Sequence, residues 1–275
     1  MGDIVLPTAK SELARIVSDA KIISKLERFI SPGVNVQQFL GSVVAEANTL
    51  RDQISDKEMQ DQRTQKTFLI AAFNAAVVGL IPGSALGHCW FVPFKKNKAK
   101  VPYYVVTYVP GYRGFLELAF TNGFLVQCSP EVVLANESVM RGHTENGPWI
   151  KHDIPIPRDK PDRSNVIGAY CSYRTIGGGQ DFVFVERSEI DAVDTQRNIW
   201  ASNYVAQCLK TPIRRASKRW RLTRQLAAAV MLDEQVEHQD GSQDALADFQ
   251  IGNGANGPVK LDDFTEGNDS DDSNE

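Results

Sequence analysis

The stretch TFLIAAFNAAVVGLIP, Thr67 to Pro82, is apolar on nearly every side. A helix without a polar face has to be buried, so this run constrains the fold more than any other feature of the chain. It is shorter than the roughly 20 residues of a membrane-spanning helix, and it carries Asn74 and Gly79. The expectation is a buried helix over 67–78 that stops near Gly79. With 275 residues and 42% hydrophobic composition, the chain is long enough for a sizeable core in one or two domains.

The surrounding pattern predicts an α+β chain. Leu13, Ile16, Val17, Ala20, Ile23, Leu26 and Phe29 recur at helical spacing and predict a helix over 8–31, ended by Ser31-Pro32-Gly33. Phe39, Leu40, Val43 and Val44 share one face of a second helix from about Asn35, and the polar stretch 51–66 reads as a surface connection. The segments HCWFVPF and VPYYVVTYV are rich in β-branched and aromatic residues and read as strands. GYRGFLELAFTNG, Gly111 to Gly123, reads as a short helix between glycines, and LVQCSPEVVLAN as a strand. VIGAYCSYRTIGGGQDFVFVE reads as two strands joined at Gly177-Gly178-Gly179. Helices return from Ser188 to about Val236. The expected architecture is a central, mostly antiparallel β-sheet flanked by helices, with N-terminal helices, a basic C-terminal helix and a disordered acidic tail. The expected boundaries are a helical part at 1–80, an α+β core at 81–238 and the tail at 239–275.

The net charge of −4 conceals a split. Residues 233–275 hold thirteen acidic residues and one Lys, which leaves 29 basic and 21 acidic residues in 1–232. A body at +8 and a tail at −12 point to a polyanion partner for the body and a separate role for the tail. That tail either keeps the protein soluble, mimics DNA in a basic groove, or recruits a partner through Leu261–Phe264. The four cysteines, Cys89, Cys128, Cys171 and Cys208, are far apart and form no C-x-x-C pair, so free thiols in a reducing compartment are expected.

The basic residues concentrate in KTPIRRASKRWRLTRQ, Lys210 to Gln225, with seven cations and no acid. Thr211 is of the type that caps a helix and Pro212 of the type that begins one. A helix begun there puts Arg214, Lys218, Arg221 and Gln225 on one stripe with Arg215 and Arg219 beside it, and turns Ile213, Ala216 and Trp220 inward. Charged helix faces commonly mix signs and only face water. A face of one sign suggests phosphate recognition by guanidinium forks. Lys95, Lys96, Lys98 and Lys100 form a basic hairpin loop beside Tyr103 and Tyr104, with Tyr108, Tyr112 and Arg113 further on. Lysines hold phosphates and rings stack on bases of any identity, which is what single-strand binding needs. The bland alternatives are a loop kept basic for solubility and aromatics that are mostly core.

Taken together, FNAAVVGLIPGSALGHCWFVPF, GYRGFLELAFTNG, KTPIRRASKRW and AAAVMLDEQ resemble, in order and spacing, the RecT family of phage-type single-strand annealing recombinases, over about residues 25–237. The resemblance implies annealing of complementary DNA strands without ATP, on a central β-sheet flanked by helices with a DNA groove. It implies single-stranded DNA and annealed duplex as ligands, and a homo-oligomer in rings or helical filaments. A 5′→3′ exonuclease is the implied partner, with a host single-strand-binding protein as a further candidate. It also implies a cytoplasmic, nucleoid-associated setting in a bacterial host and no membrane. By motif, Gly111, Tyr112 and Arg113 match the family's Gly-Tyr-basic-Gly loop, and Lys210, Thr211, Arg214, Arg215 and Lys218 match its basic helix. Pro212 and Trp220 depart from the family's usual residues. The Ala changes at Arg214, Arg215 and Lys218 are expected to weaken binding to all sequences alike.

No G-x-x-x-x-G-K-[ST] occurs, and Gly177–Gly179 lies between strands, so neither ATP nor another cofactor is expected; the need for Mg²⁺ is open. Glu117, Glu131 and Glu137 make no recognisable nuclease set. His88-Cys89 with Cys128 fits no standard zinc spacing. His143 and His152 lie in what reads as a loop, and Trp149 and Trp200 read as core or subunit contacts. The chain is thus expected to be a strand-pairing protein and not an enzyme. The alternatives are a single-stranded DNA coating or packaging protein that does not anneal, and a protein whose basic helix docks an acidic partner.

Overall fold

The apolar run lies inside a longer helix. In a computed structural model the described residues are 6–83, 85–97, 99, 101–145, 147–193, 203–221 and 223–238, the last four by backbone only. The helices are α1 (Glu12–Val17), α2 (Ala20–Glu27), α3 (Val36–Thr49), α4 (Asp56–Met59) and α5 (Gln62–Val78), with a 3₁₀ turn at Leu50–Asp52. Strands β1 (Cys89–Lys96) and β2 (Tyr103–Pro110) lead to α6 (Tyr112–Thr121). Strands β3 (Leu125–Leu134), β4 (Ser138–Thr144), β5 (Gly147–Asp153), β6 (Val166–Thr175) and β7 (Gln180–Glu186) follow. Helices α7 (Arg187–Val193), α8 (Tyr204–Ser217) and α9 (Arg224–His238) close the described chain.

Helix α5 begins five residues before the apolar run because Asp61 caps it, accepting from the Arg63 N–H. The expected surface connection at 51–66 is therefore a 3₁₀ turn, the capping-box helix α4 and the first turn of α5. At the other end Gly79 takes φ 83°, a left-handed stop that favours glycine. The orphan carbonyls there are satisfied from another segment: the Ser31 N–H donates to Ala76 O and its hydroxyl to Val77 O. The helix expected over 8–31 is two helices. It breaks at Ser18, and Asp19 caps α2 by accepting from the Lys21 N–H. Helix α3 starts where expected, capped by Asn35, with Phe39, Leu40, Val43 and Val44 buried.

All strand pairs are antiparallel. They form the hairpin β1–β2, the three-stranded sheet β3–β6–β7 and the hairpin β4–β5. Helix α5 lies along β2, and its Thr64 and Thr67 hydroxyls accept from the N–H groups of Tyr104 and Val106. The helix thereby satisfies strand groups that the hairpin leaves unpaired. Phe68 of α5 meets Phe91 of β1 edge to face. The helices of 6–78 thus share a core with the first hairpin.

One face of the three-stranded sheet packs on α8, where Tyr173 meets Trp220 edge to face. Alternation along β6 turns Tyr170 to the opposite face, where it meets His152 of β5. The expected loop around His143 and His152 is the hairpin β4–β5. The residues from 239 onward, including the expected acidic tail, lie outside the described residues. Among the described residues no helix is long and apolar enough to cross a membrane.

Candidate nucleic-acid interface

The basic segment starts earlier than its local signals suggest. Helix α8 runs from Tyr204 to Ser217, so Thr211 and Pro212 lie in its interior, not at its start. The Thr211 hydroxyl donates back to Gln207 O, one turn earlier. Proline in a helix interior removes one hydrogen bond and crowds the preceding turn, at about 3 kcal/mol. Burial of Tyr204, Cys208, Pro212, Ile213 and Ala216 along one side offsets that loss. The helix ends at Ser217 with Lys218 as its C-cap, and α9 begins at Arg224. The expected stripe through Arg214, Lys218, Arg221 and Gln225 is therefore not one helical face.

Most of the α8 cations are neutralised within the fold. Lys210 Nζ lies 3.1 Å from Asp233 Oδ1, and Arg214 pairs with Oδ2 of the same carboxylate, which is 5% exposed. Arg215 Nη1 lies 2.6 Å from Glu189 of α7 and holds that carboxyl below its usual range. The absence of acids from 210 to 232 hid these partners, because both lie outside that window in sequence. The repulsion that argued for an external polyanion is thus relieved at Lys210, Arg214 and Arg215. Lys218, Arg219 and Arg221 are exposed at the C-terminal end of α8, with Arg219 at 3.8 Å from Asp181. Cations at a helix C-terminus also suit its dipole.

The Lys95–Lys100 loop is divided. Lys95 pairs with Glu58 Oε1 at 3.0 Å and lies 5.3 Å from the Tyr104 ring centroid. Arg63 stacks 4.0 Å over Tyr103. Lys96 is half-buried, whereas Lys98 and Lys100 lie outside the described residues. Tyr108, 2% exposed, is core.

The Gly-Tyr-Arg-Gly loop is a packing motif at both glycines. The Gly111 N–H donates to His88 O at 2.8 Å. A Cβ at Gly111 would lie 2.4 Å from Gly87 O, and one at Gly114 would lie 2.3 Å from His88 O. Only glycine allows α6 to start this close to the backbone that leads into β1. Tyr112 is half-buried and Arg113 exposed, its stem packed on Gly87.

The sheet face opposite α8 carries residues that the sequence reading did not assemble. Trp149 lies flat on Gly142, its register partner, at 3.2 Å from the position a Cβ would take. With Ser172, Phe182, Arg174, Gln127 and Gln180 it lines a cavity of about 190 Å³. The dipeptide Asn146-Gly147, a strong hairpin signal, was the available clue to this hairpin. Around His152 of β5, the buried Glu137 carboxylate accepts from Arg158 Nε at 2.7 Å and pairs with His152 Nε2 at 2.9 Å. Arg158 also donates to Glu131. Glu131 and Glu137 thus serve an ion network, and His152, 3% exposed, is occupied within it. Among the described residues no three His, Cys, Asp or Glu side chains come together to hold a metal ion.

The RecT family profile matches residues 45–246, well over half the chain. The chain belongs to the RecT family. It is similar to Protein RecT of Escherichia coli strain K12, at 28% identity over 178 residues, covering 61% of this chain and 62% of that protein. The match thus spans less than two thirds of that relative's length. Within the RecT match fall the α5 stop at Gly79, the 111–114 loop and all of α8. Each has a structural role here: a helix stop, a close backbone approach and a set of internal ion pairs.

Proposed function

We propose that this RecT-family protein is an ATP-independent single-strand annealing protein. It binds DNA strands as a multimer and promotes pairing of complementary sequences, without bond-breaking chemistry or a cofactor. The observation that carries the reading is the family membership of a chain whose α8 ends in three exposed cations, Lys218, Arg219 and Arg221. Exposed cations at the surface are accessible to phosphates, and phosphate contacts carry no sequence information. Arg113 of α6 and Arg174 of β6 are further exposed cations. The cavity beside Trp149 offers a flat ring for a base. An exonuclease that exposes the strands belongs to the same reading, as does a cytoplasmic setting.

The test is binding of a fluorescent single-stranded oligonucleotide across a salt series. Replacing Lys218, Arg219 and Arg221 together by Ala lowers the dependence of log K on log salt by about 0.7 per lost contact, for every sequence alike. An unchanged slope places the phosphates elsewhere.

A further inference from the structure

Cys128 and Cys171 are 43 residues apart in the chain and belong to no common motif. Strand pairing brings them together. Cys128 of β3 stands opposite Tyr173 of β6, and Cys171 stands opposite Pro130. The two cysteines are therefore diagonal neighbours on one face of the sheet, and their Sγ atoms lie 3.1 Å apart. A disulfide needs about 2.05 Å, so closure takes a movement of about 1 Å, within reach of side-chain rotation. Cys128 is half-buried and Cys171 fully buried. The other two cysteines are placed differently: Cys89 is buried with its thiol toward Leu80 O at 3.5 Å, and Cys208 is buried on α8.

We propose that Cys128 and Cys171 are a redox modification site, converted to an intramolecular disulfide by a low-molecular-weight disulfide such as oxidised glutathione. The more accessible Cys128 is the entry point. Its thiolate attacks one sulfur of the oxidant, whose S–S bond breaks. A mixed disulfide forms on Cys128, and one glutathione leaves as its thiolate. Cys171 then attacks Cys128 Sγ, the mixed disulfide breaks, and the second glutathione leaves. The protein loses two electrons, the oxidant becomes two thiols, and those thiols take up the two protons that the cysteines release. The hydrogen bond with Cys128, and then burial, push the Cys171 thiol up, in keeping with entry at the more accessible Cys128. Disulfides in a reducing cytosol are characteristically transient or redox-sensing, and this one would staple β3 to β6 on the face that also carries Tyr173.

The experiment treats the full chain with oxidised glutathione, blocks remaining thiols with an alkylating agent, and reads intact mass and linked peptides. The expected result is the loss of two alkylatable thiols, one peptide pair joining Cys128 to Cys171, and unchanged Cys89 and Cys208. Cys171→Ser should stop at one glutathione on Cys128. The oxidised wild type should melt several degrees above the reduced protein, because a cross-link restricts the unfolded chain, and Cys128→Ser should show no such shift. The inference is overturned by a glutathione adduct that persists on wild-type Cys128, by linkage between other cysteines or between chains, or by four intact thiols. The peptide map of the wild type decides the matter even where a serine variant folds poorly.

Discussion

Lys210 and Asp233 are joined at 3.1 Å, and the same carboxylate holds Arg214. Two cations of the family's basic motif are thus bound to an internal acid. Asp233→Asn should destabilise the fold by about 3–5 kcal/mol, because it strands two poorly exposed cations. Lys210→Ala and Arg214→Ala should likewise show first as lost stability in urea unfolding. DNA affinity measured on folded Arg214→Ala should change less than for the Lys218/Arg219/Arg221 triple variant. Equal losses would mean that DNA displaces Asp233.

The close approach at the 111–114 loop gives a second prediction. Gly114→Ala places a methyl group 2.3 Å from His88 O and 2.6 Å from Leu80 Cδ1. Backbone cannot give way as a flexible side chain does, so a loss of about 1–3 kcal/mol or more is expected. Gly123→Ala is the contrasting control for space: its Cβ meets nothing within 4 Å, although its φ of 71° adds local strain. Thermal unfolding should rank Gly114→Ala as the more damaging change.

The Glu137 network predicts an acid response. Burial pushes this carboxyl up, but hydrogen bonds from Arg158, the Leu134 N–H and His152 outweigh it and hold it below the usual carboxylate range. A lowered folded-state pKa means that the stabilisation is fully present above the unfolded value, near 4.3. It is lost as pH falls through the lower folded value. Glu137→Gln should therefore be less stable than wild type at neutral pH, by about 3 kcal/mol, and the gap should narrow below about pH 4. A gap of constant size across the acid limb would contradict this assignment.

Trp149 supplies a prediction about bases. Trp149→Ala should weaken binding to an ordinary oligonucleotide by about 1–3 kcal/mol, the range for base–aromatic stacking. It should leave binding to an abasic strand of equal charge unchanged. Equal loss on both strands would point to a collapsed hairpin.

Local signals carried much of the fold. The apolar run, the start of α3 near Asn35, the β-branched and aromatic runs of β1 and β2, the glycine turn between β6 and β7 and the Gly79 stop each act within a few residues, so they were readable along the chain. The early start of α8 was not, because a buried face holds Pro212 where its intrinsic preference does not. The ion pairs of Lys210, Arg214 and Arg215 were hidden for a different reason: their partners come from α7 and α9. The cysteine pair depends on strand register alone. The β4–β5 hairpin also has a local signal, Asn146-Gly147, although the segment around His143 and His152 reads as a loop. Among the candidate site residues, Lys218, Arg219, Arg221 and Arg113 remain exposed, whereas Gly111 serves packing, and Lys95, Lys210, Arg214 and Arg215 form ion pairs within the fold.

The central claim is strand pairing, and its most direct measurement follows two complementary fluorescent oligonucleotides by energy transfer, with and without the protein, in the absence of ATP. The account predicts faster pairing that declines with added salt and is reduced in the Lys218/Arg219/Arg221 triple Ala variant. Tight binding to each strand with no gain in pairing rate would contradict it and make the protein a single-strand coat.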